Sequence, residues 1–305
     1  MAMILFDTTA IWRHPMRNGV GHEQEGRSQM RRWIAASAVM LVVPMVAGFG
    51  TTAGTQGAPA DPIDALKRRL VENRGVKMSM VRTVTEEQKD KGYVWTKAVA
   101  EFGKGKIVAV DMTHDSDRIK RVDPVRQIIF EGRQYVQNDY LPDGKSWLLN
   151  EDDEVRPELD AGWIQLADPA MLKAVLATTR VKRPAGVYEG TGTTLYQGTI
   201  TVGQLYKASS GSPFGLVVKP TEKEAKAKIA WRLWLGEDQL VRRAWGSWSE
   251  PFSRNGDTHV SYVVDARLTG WGAETDIAAP SADDVIDPSH WSMPETSVPL
   301  NPAAE

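Results

Sequence analysis

No cysteine occurs anywhere in this chain. Thiolate catalysis, cysteine-based zinc sites, disulfides and acylation at a bacterial lipobox are therefore excluded. Histidine is almost as scarce: beyond residue 60 only His114, His259 and His290 occur. A Gly-x-Ser-x-Gly nucleophile elbow is also missing, because GSWSE at 246–250 has the wrong spacing and falls in a strand pattern. Charge of one sign is lacking too. Past residue 60 the chain has 32 basic and 36 acidic residues, a net charge near −4. So mixed a surface offers no electrostatic footprint for nucleic acid.

Long apolar runs are absent with one exception. Trp33 to Phe49 holds 17 residues without a charge, preceded by Arg31 and Arg32. That is the short limit of the ~17–25 residues needed to cross a bilayer. Pro44 and Gly48 interrupt its far half, and the small residues of TTAGTQGAPA follow with no basic flank. Basic start, apolar centre and a small-residue site at Ala58-Pro59-Ala60 describe an export signal over 30–60. An uncleaved anchor through 33–49 is the alternative. Residues 1–29 have no clear period and carry Asp7, Glu23 and Glu25, so translation is expected to begin at Met30. The expected organisation is then 1–29 outside the working protein, a signal at 30–60, one domain over 61–288, and a flexible tail at 289–305. A mature start near Gly54 or Asp61 would place the protein in the cell envelope or outside the cell.

What is present is aromatic and alternating. Nine tryptophans fall in residues 61–305, and each large aromatic can bury ~150–250 Å². DPIDALKRRLVENRG reads as a helix, with Asp61 as cap, Pro62 in the first turn, and Ile63, Leu66 and Leu70 on one face. After it the period becomes two. Val76, Met78 and Met80 alternate with Lys77 and Ser79; GYVWTKAVAEF and KIVAVDM make a hairpin; VRQIIF, GRQYVQND and KSWLLN continue the series. DPAMLKAVLATTR is a second helix with an apolar stripe of Leu172, Val175 and Leu176. GVYEG and TTLYQGTIT resume the strands, VGQLYKASS is a brief helix, and TEKEAKAK carries a capping box, Thr221 with Glu224. IAWRLWLGE, QLVRRAWGSWSE and DTHVSYVVDARLTGWG end the domain, and the tail from Asp283 is expected to be loosely held. Antiparallel strands with two to four helices on one face make an α+β fold.

Candidate chemistry is thin. PDGKSW ends like a phosphate loop but has Asp139 where the first glycine belongs, and a strand follows it. DMTHDSD gathers Asp111, His114, Asp115 and Asp117, a spacing that fits no calcium loop and is read as a turn. NEDDEVRPELD lacks the glycine of a calcium loop and is read as a solvated acidic loop. A carboxylate pair for hydrolysis is set by the fold and not by spacing. No enzyme, metal site or cofactor is expected.

The order of these pieces resembles actinobacterial lipoproteins of the LppX/LprAFG type, within the LolA-like superfamily. The resemblance rests on IIFEGRQYVQNDYLPDGKSWLLN, on LADPAMLKAVLATTR, on TTLYQGTITV with Tyr196, Gly198 and Thr199, and on the closing IAWRLWLGEDQLVRRAW and VVDARLTGWGAETDIAAPSADDVID. The family's lipidated cysteine is missing here. The resemblance implies a curved antiparallel half-barrel whose concave face, under helices, holds a lipid or acylated glycolipid. On that reading Met78, Met80, Trp231, Leu233, Tyr262 and Val264 share the concave face, and Leu172 and Leu176 cover them. Alternation fixes which residues share a side, not which side is inward. A monomeric carrier that can meet a membrane surface follows. A regulatory module contacting a membrane protein is the alternative, and a hydrolase a more distant one.

Overall fold

The structure, a computed structural model, describes residues 61–86, 90–117, 124–138, 141, 144–209, 219–249 and 260–287. All belong to the compact unit Ala58–Glu305. The expected export signal, His259, His290 and the tail past residue 287 lie outside them.

Alternation governs the architecture. Twelve strands form one open, curved sheet: β1 (Arg74–Glu86), β2 (Asp90–Phe102), β3 (Ile107–Ser116), β4 (Val125–Phe130), β5 (Arg133–Gln137), β6 (Trp147–Glu151), β7 (Thr179–Tyr188), β8 (Thr191–Thr201), β9 (Lys228–Gly236), β10 (Val241–Ser249), β11 (Val260–Glu274) and β12 (Val285–Ile286). Their spatial order is β12-β6-β5-β4-β3-β2-β1-β11-β10-β9-β8-β7. Every pairing is antiparallel except the short β12–β6 ladder. Neighbouring hairpins thus build both wings, and the long-range β1–β11 pairing joins them. β7 forms one edge of the sheet.

Among the described residues four α-helices accompany the sheet: α1 (Pro62–Arg69), α2 (Pro169–Ala177), α3 (Val202–Ala208) and α4 (Glu222–Ala225). Asp61 and Asp168 accept hydrogen bonds from the first-turn amides of α1 and α2, and a proline opens each helix. Thr201 with Gln204, and Thr221 with Glu224, close full capping boxes on α3 and α4. Leu66, Met171, Leu172, Val175 and Leu205 bury themselves in the main core, against the inner residues of β1, β2 and β8–β11. α4 fully buries none of its residues and packs lightly on α3, beside its own capping and surface pairs.

A smaller cluster of Ile128, Tyr135 and Trp147 lies on the opposite face and is covered by Ile277 and Val285. The closing segment is therefore better held than its proline content predicts. Ile277 donates its amide to Glu101, Ser146 donates to the Asp284 carbonyl, and β12 pairs with β6. A few backbone bonds and two apolar anchors suffice to fasten it.

Candidate functional site

The register lays the inner face out in rows that cross the sheet. One row runs Tyr196, Leu233, Ala244, Ala266, Met80, Thr96 and His114, from β8 to β3. The next runs Gly198, Trp231, Gly246, Val264, Arg82, Val94 and Ser116. Both are apolar across β9–β11 and gain polar side chains within β1–β3: Thr96 and His114 in the first, Arg82 and Ser116 in the second. The face is thus an amphipathic surface, with grease under the helices and hydrogen-bonding groups towards one wing.

Two different covers close the apolar part. α2 sits over β8 and β9, where the Trp231 indole N–H donates to the Thr178 hydroxyl at 3.0 Å. Gly198 makes that approach feasible, since a Cβ there would come within 2.3 Å of the Thr178 carbonyl oxygen. The second cover is Pro157–Ala167, hereafter the plug. Leu159, Ala161, Ile164, Leu166 and Ala167 are all buried. Its backbone makes a miniature hairpin: Asp160 bridges Gln165, the Ala161 amide donates to the Ile164 carbonyl, and the Leu166 amide to the Leu159 carbonyl. Gly162 and Trp163 at the tip have φ of 67° and 73°. Such a two-residue turn needs left-handed backbone at both positions. Tryptophan is a costly occupant, and its ring is held edge-on to Trp248 at 6.3 Å, which in turn stacks on Tyr262 at 5.1 Å.

The polar wing has its own logic. The Thr96 hydroxyl and the His114 Nδ1 lie 2.9 Å apart, and His114 Nε2 is 3.0 Å from the Met112 sulfur. A neutral ring satisfies both contacts, accepting at Nδ1 and donating at Nε2. Burial holds the His114 pKa below its usual value and the Arg82 charge lowers it further, while Asp160 pulls it back up. Arg82 itself faces inward, in register with Val264 and Val94. Its Nε is buried without a hydrogen-bond partner, and among the described residues the side chain has no ion pair. On the plug, burial raises the Glu158 carboxyl to about 7; Asp160 and Asp168 push the same way, against a hydrogen bond from Gln165 and the charge of Arg156.

Six of the residues singled out from sequence, Met78, Met80, Leu172, Trp231, Leu233 and Val264, fall in this one core, with Leu176 and Tyr262 half-buried against it. They are closely packed: Trp231, Leu233 and Val264 are 0 % exposed. Met171 and the plug residues share the same interior and were not foreseen. Two sequence readings need correction. DMTHDSD is no turn but the body of β3, so alternation sends Asp111 and Asp115 to one face and His114 to the other. NEDDEVRPELD is solvated only at its start, because Pro157 and Leu159 are buried and Glu158 is partly so. Among the described residues no group of three or more histidines and carboxylates could hold a metal ion, and no helix is long and apolar enough to cross a membrane. A shallow concavity of about 390 Å³ lies at the outer face of the sheet, among Lys77, Lys97, Asp111, Thr113 and Arg126.

No protein-family model matches this sequence, and no curated protein is similar to it. Solved structures do resemble it in part. LprF from Mycobacterium bovis is 11% identical over 72% of this chain and 95% of its own, with a TM-score of 0.41. The LolA superfamily protein NE2245 from Nitrosomonas europaea is 7% identical over 71% and 93%, at 0.26. The S-type phycobiliprotein lyase CPES from Guillardia theta is 8% identical over 70% and 94%, at 0.25. Likenesses of this size do not bear on activity, and the sheet stands on its own strand pairing.

Proposed function

We propose that this chain is an exported, non-enzymatic carrier that holds the acyl part of a lipid or acylated glycolipid against the inner face of its sheet. The plug is the observation that carries the reading. Its described backbone hydrogen bonds close on the plug itself or on the start of α2, so it can leave the sheet as a unit without orphaning sheet amides. What it buries is apolar: Leu159, Ile164 and Leu166, with the Trp163 ring against Trp248. An acyl chain in the same place buries the same kind of surface, and non-directional burial is worth about 25 cal/mol per Å² for either. Because Leu233 is enclosed, the reading depends on exchange of the plug for ligand and not on a standing void. The charge-free run Trp33–Phe49 with small residues after it supports export.

A fluorescent fatty-acyl probe titrated into the protein tests this. Saturable binding is expected, and Leu233→Trp should lower stability by ~1–3 kcal/mol through overpacking and weaken uptake. A parent protein that takes up no probe would overturn the carrier. N-terminal sequencing of the secreted and membrane fractions checks export, with a start near Gly54 or Asp61 expected.

A second reading has one observation in its favour. Trp95 is 41% exposed on the outer face and stacks on Tyr93 at 6.0 Å. A regulatory module would use such a pair to contact a membrane protein. In that case, native mass spectrometry of protein from its own host would show a bound protein and no lipid.

A further inference from the structure

Resting on the carrier reading, we propose that Arg82, flanked by Thr96 and His114, is a subsite for the anionic end of the ligand, a carboxylate or a phosphate. The ligand would then be an amphiphile whose chain lies along the apolar rows.

Position comes first. Arg82 shares its row with Trp231, Gly246 and Val264, the apolar surface beneath the covers, and is the one cation in that row. The side chain is half-buried, and a guanidinium nitrogen held inside such a surface is costly unless something pairs with it. Yet its Nε is buried and unpartnered, and no ion pair forms with any described residue. Three other sheet arginines have a carboxylate partner: Arg243 is paired with Asp265 and Tyr188, Arg126 with both oxygens of Asp111, and Arg242, whose Nε is likewise buried without a partner, with Asp238 through Nη2. A planar fork with an unused donor is suited to an oxyanion.

The neighbours agree with that chemistry. In the adjacent row the Thr96 hydroxyl donates to His114 Nδ1 and the ring is kept neutral, so that Arg82 sets the charge of the site. An anion arriving beside Arg82 would also make protonation of His114 easier, which would add a second donor. The plug brings its own carboxylate, Asp160, close enough for its charge to act on His114. The plug therefore resembles the ligand in both parts: apolar side chains in the core and a negative group whose charge reaches the polar wing.

The test uses cis-parinaric acid and its methyl ester as probes, with inorganic phosphate alone as competitor. The parent is expected to bind the acid about tenfold more tightly than the ester, the effect of one charge-assisted hydrogen bond. Arg82→Gln should bring that ratio close to one, and Arg82→Lys should keep part of it. Asp160→Asn, which removes the competing carboxylate, should raise the ratio about threefold. This variant and the lysine variant carry the test if Arg82→Gln fails to fold. An unchanged ratio in Arg82→Gln, with both probes still bound, overturns the subsite and leaves the carrier standing. Displacement of the acid by inorganic phosphate at equal concentration overturns it in favour of a site for free anions. If the parent binds neither probe, the carrier falls and the subsite with it.

Discussion

α2 and the plug cover the same apolar face in different ways. α2 is capped by Asp168, started by Pro169, and tied to the sheet by the Trp231–Thr178 hydrogen bond. The plug also buries leucine and isoleucine, but its described backbone bonds close on itself or on the start of α2, and its tip holds a tryptophan in left-handed backbone. One cover is fastened by polar geometry that is expensive to break. The other rests on burial, which an equally apolar molecule can replace. On the carrier proposal, similar burial gives a fixed wall in one place and an exchangeable one in the other.

Glycine offers the sharpest way to break that contrast. Gly198→Ala would set a Cβ 2.3 Å from the Thr178 oxygen and 2.6 Å from the Trp231 ring. Neither α2 nor the buried indole can yield cheaply, so we expect about 3 kcal/mol or more of lost global stability in denaturant melts. Next in size is the pH response of the plug. The Glu158 pKa rises from the ordinary 4.5 to about 7 on folding. The folded state thus holds this proton more tightly than the unfolded chain. Its stabilising effect is complete below pH 4.5 and is lost as pH rises to about 7. His114, with a lowered pKa, works in the opposite sense: the unfolded chain protonates first, so stability falls as pH drops through 6.5 and below. Comparing the parent with Glu158→Gln isolates the glutamate. Relative to the variant, the parent should lose on the order of 2 kcal/mol between pH 4.5 and 7.5, after allowance for water reaching a partly buried carboxyl.

Smaller still is Gly162→Ala. A side chain at φ 67° is strained, and its Cβ would come 2.6 Å from the Trp248 ring. About 1–2 kcal/mol should be lost, confined to the plug. Hydrogen exchange should quicken at Ala161 and Leu166 while β9 stays protected, and acyl-probe uptake should rise. If β9 exchanges along with the plug, the two covers form one cooperative unit and the contrast fails. At the lower limit, Lys226→Ala removes an exposed pair with Glu222 at 2.7 Å on α4. Melting should shift by less than about 0.5 kcal/mol, since α4 fully buries none of its residues.

Much of this was legible in the sequence. A period of two in β1, β9 and β11 grouped Met78 with Met80, Trp231 with Leu233, and Tyr262 with Val264, because alternating Cβ directions leave no other choice. Proline and aspartate marked the start of both longer helices. The same alternation also placed Arg82 on the face of Met80, a signal present in MSMVRTV that apolar patterning alone passes over. His114 was read as part of an acidic turn because composition outweighed the run Ile107-Val108-Ala109-Val110 before it. The plug was least legible. PELDAGWIQLADP has neither helical nor strand length, and its fate depends on a surface supplied by β10, some eighty residues further on. Its one local clue is the density of apolar residues between Pro157 and Pro169.

The outer edge of β7 has a consequence for growth of the sheet. An open sheet exposes unpaired amides and carbonyls to which a second chain can add. β7 carries Arg180, Lys182 and Arg183 in sequence, and Pro184 in its middle. Proline has no N–H to donate to an incoming strand, and two copies meeting there would bring their cations together. At the far edge β12 has only two residues. Neither border offers a long uncharged template, which guards this open sheet against polymerising through its rims.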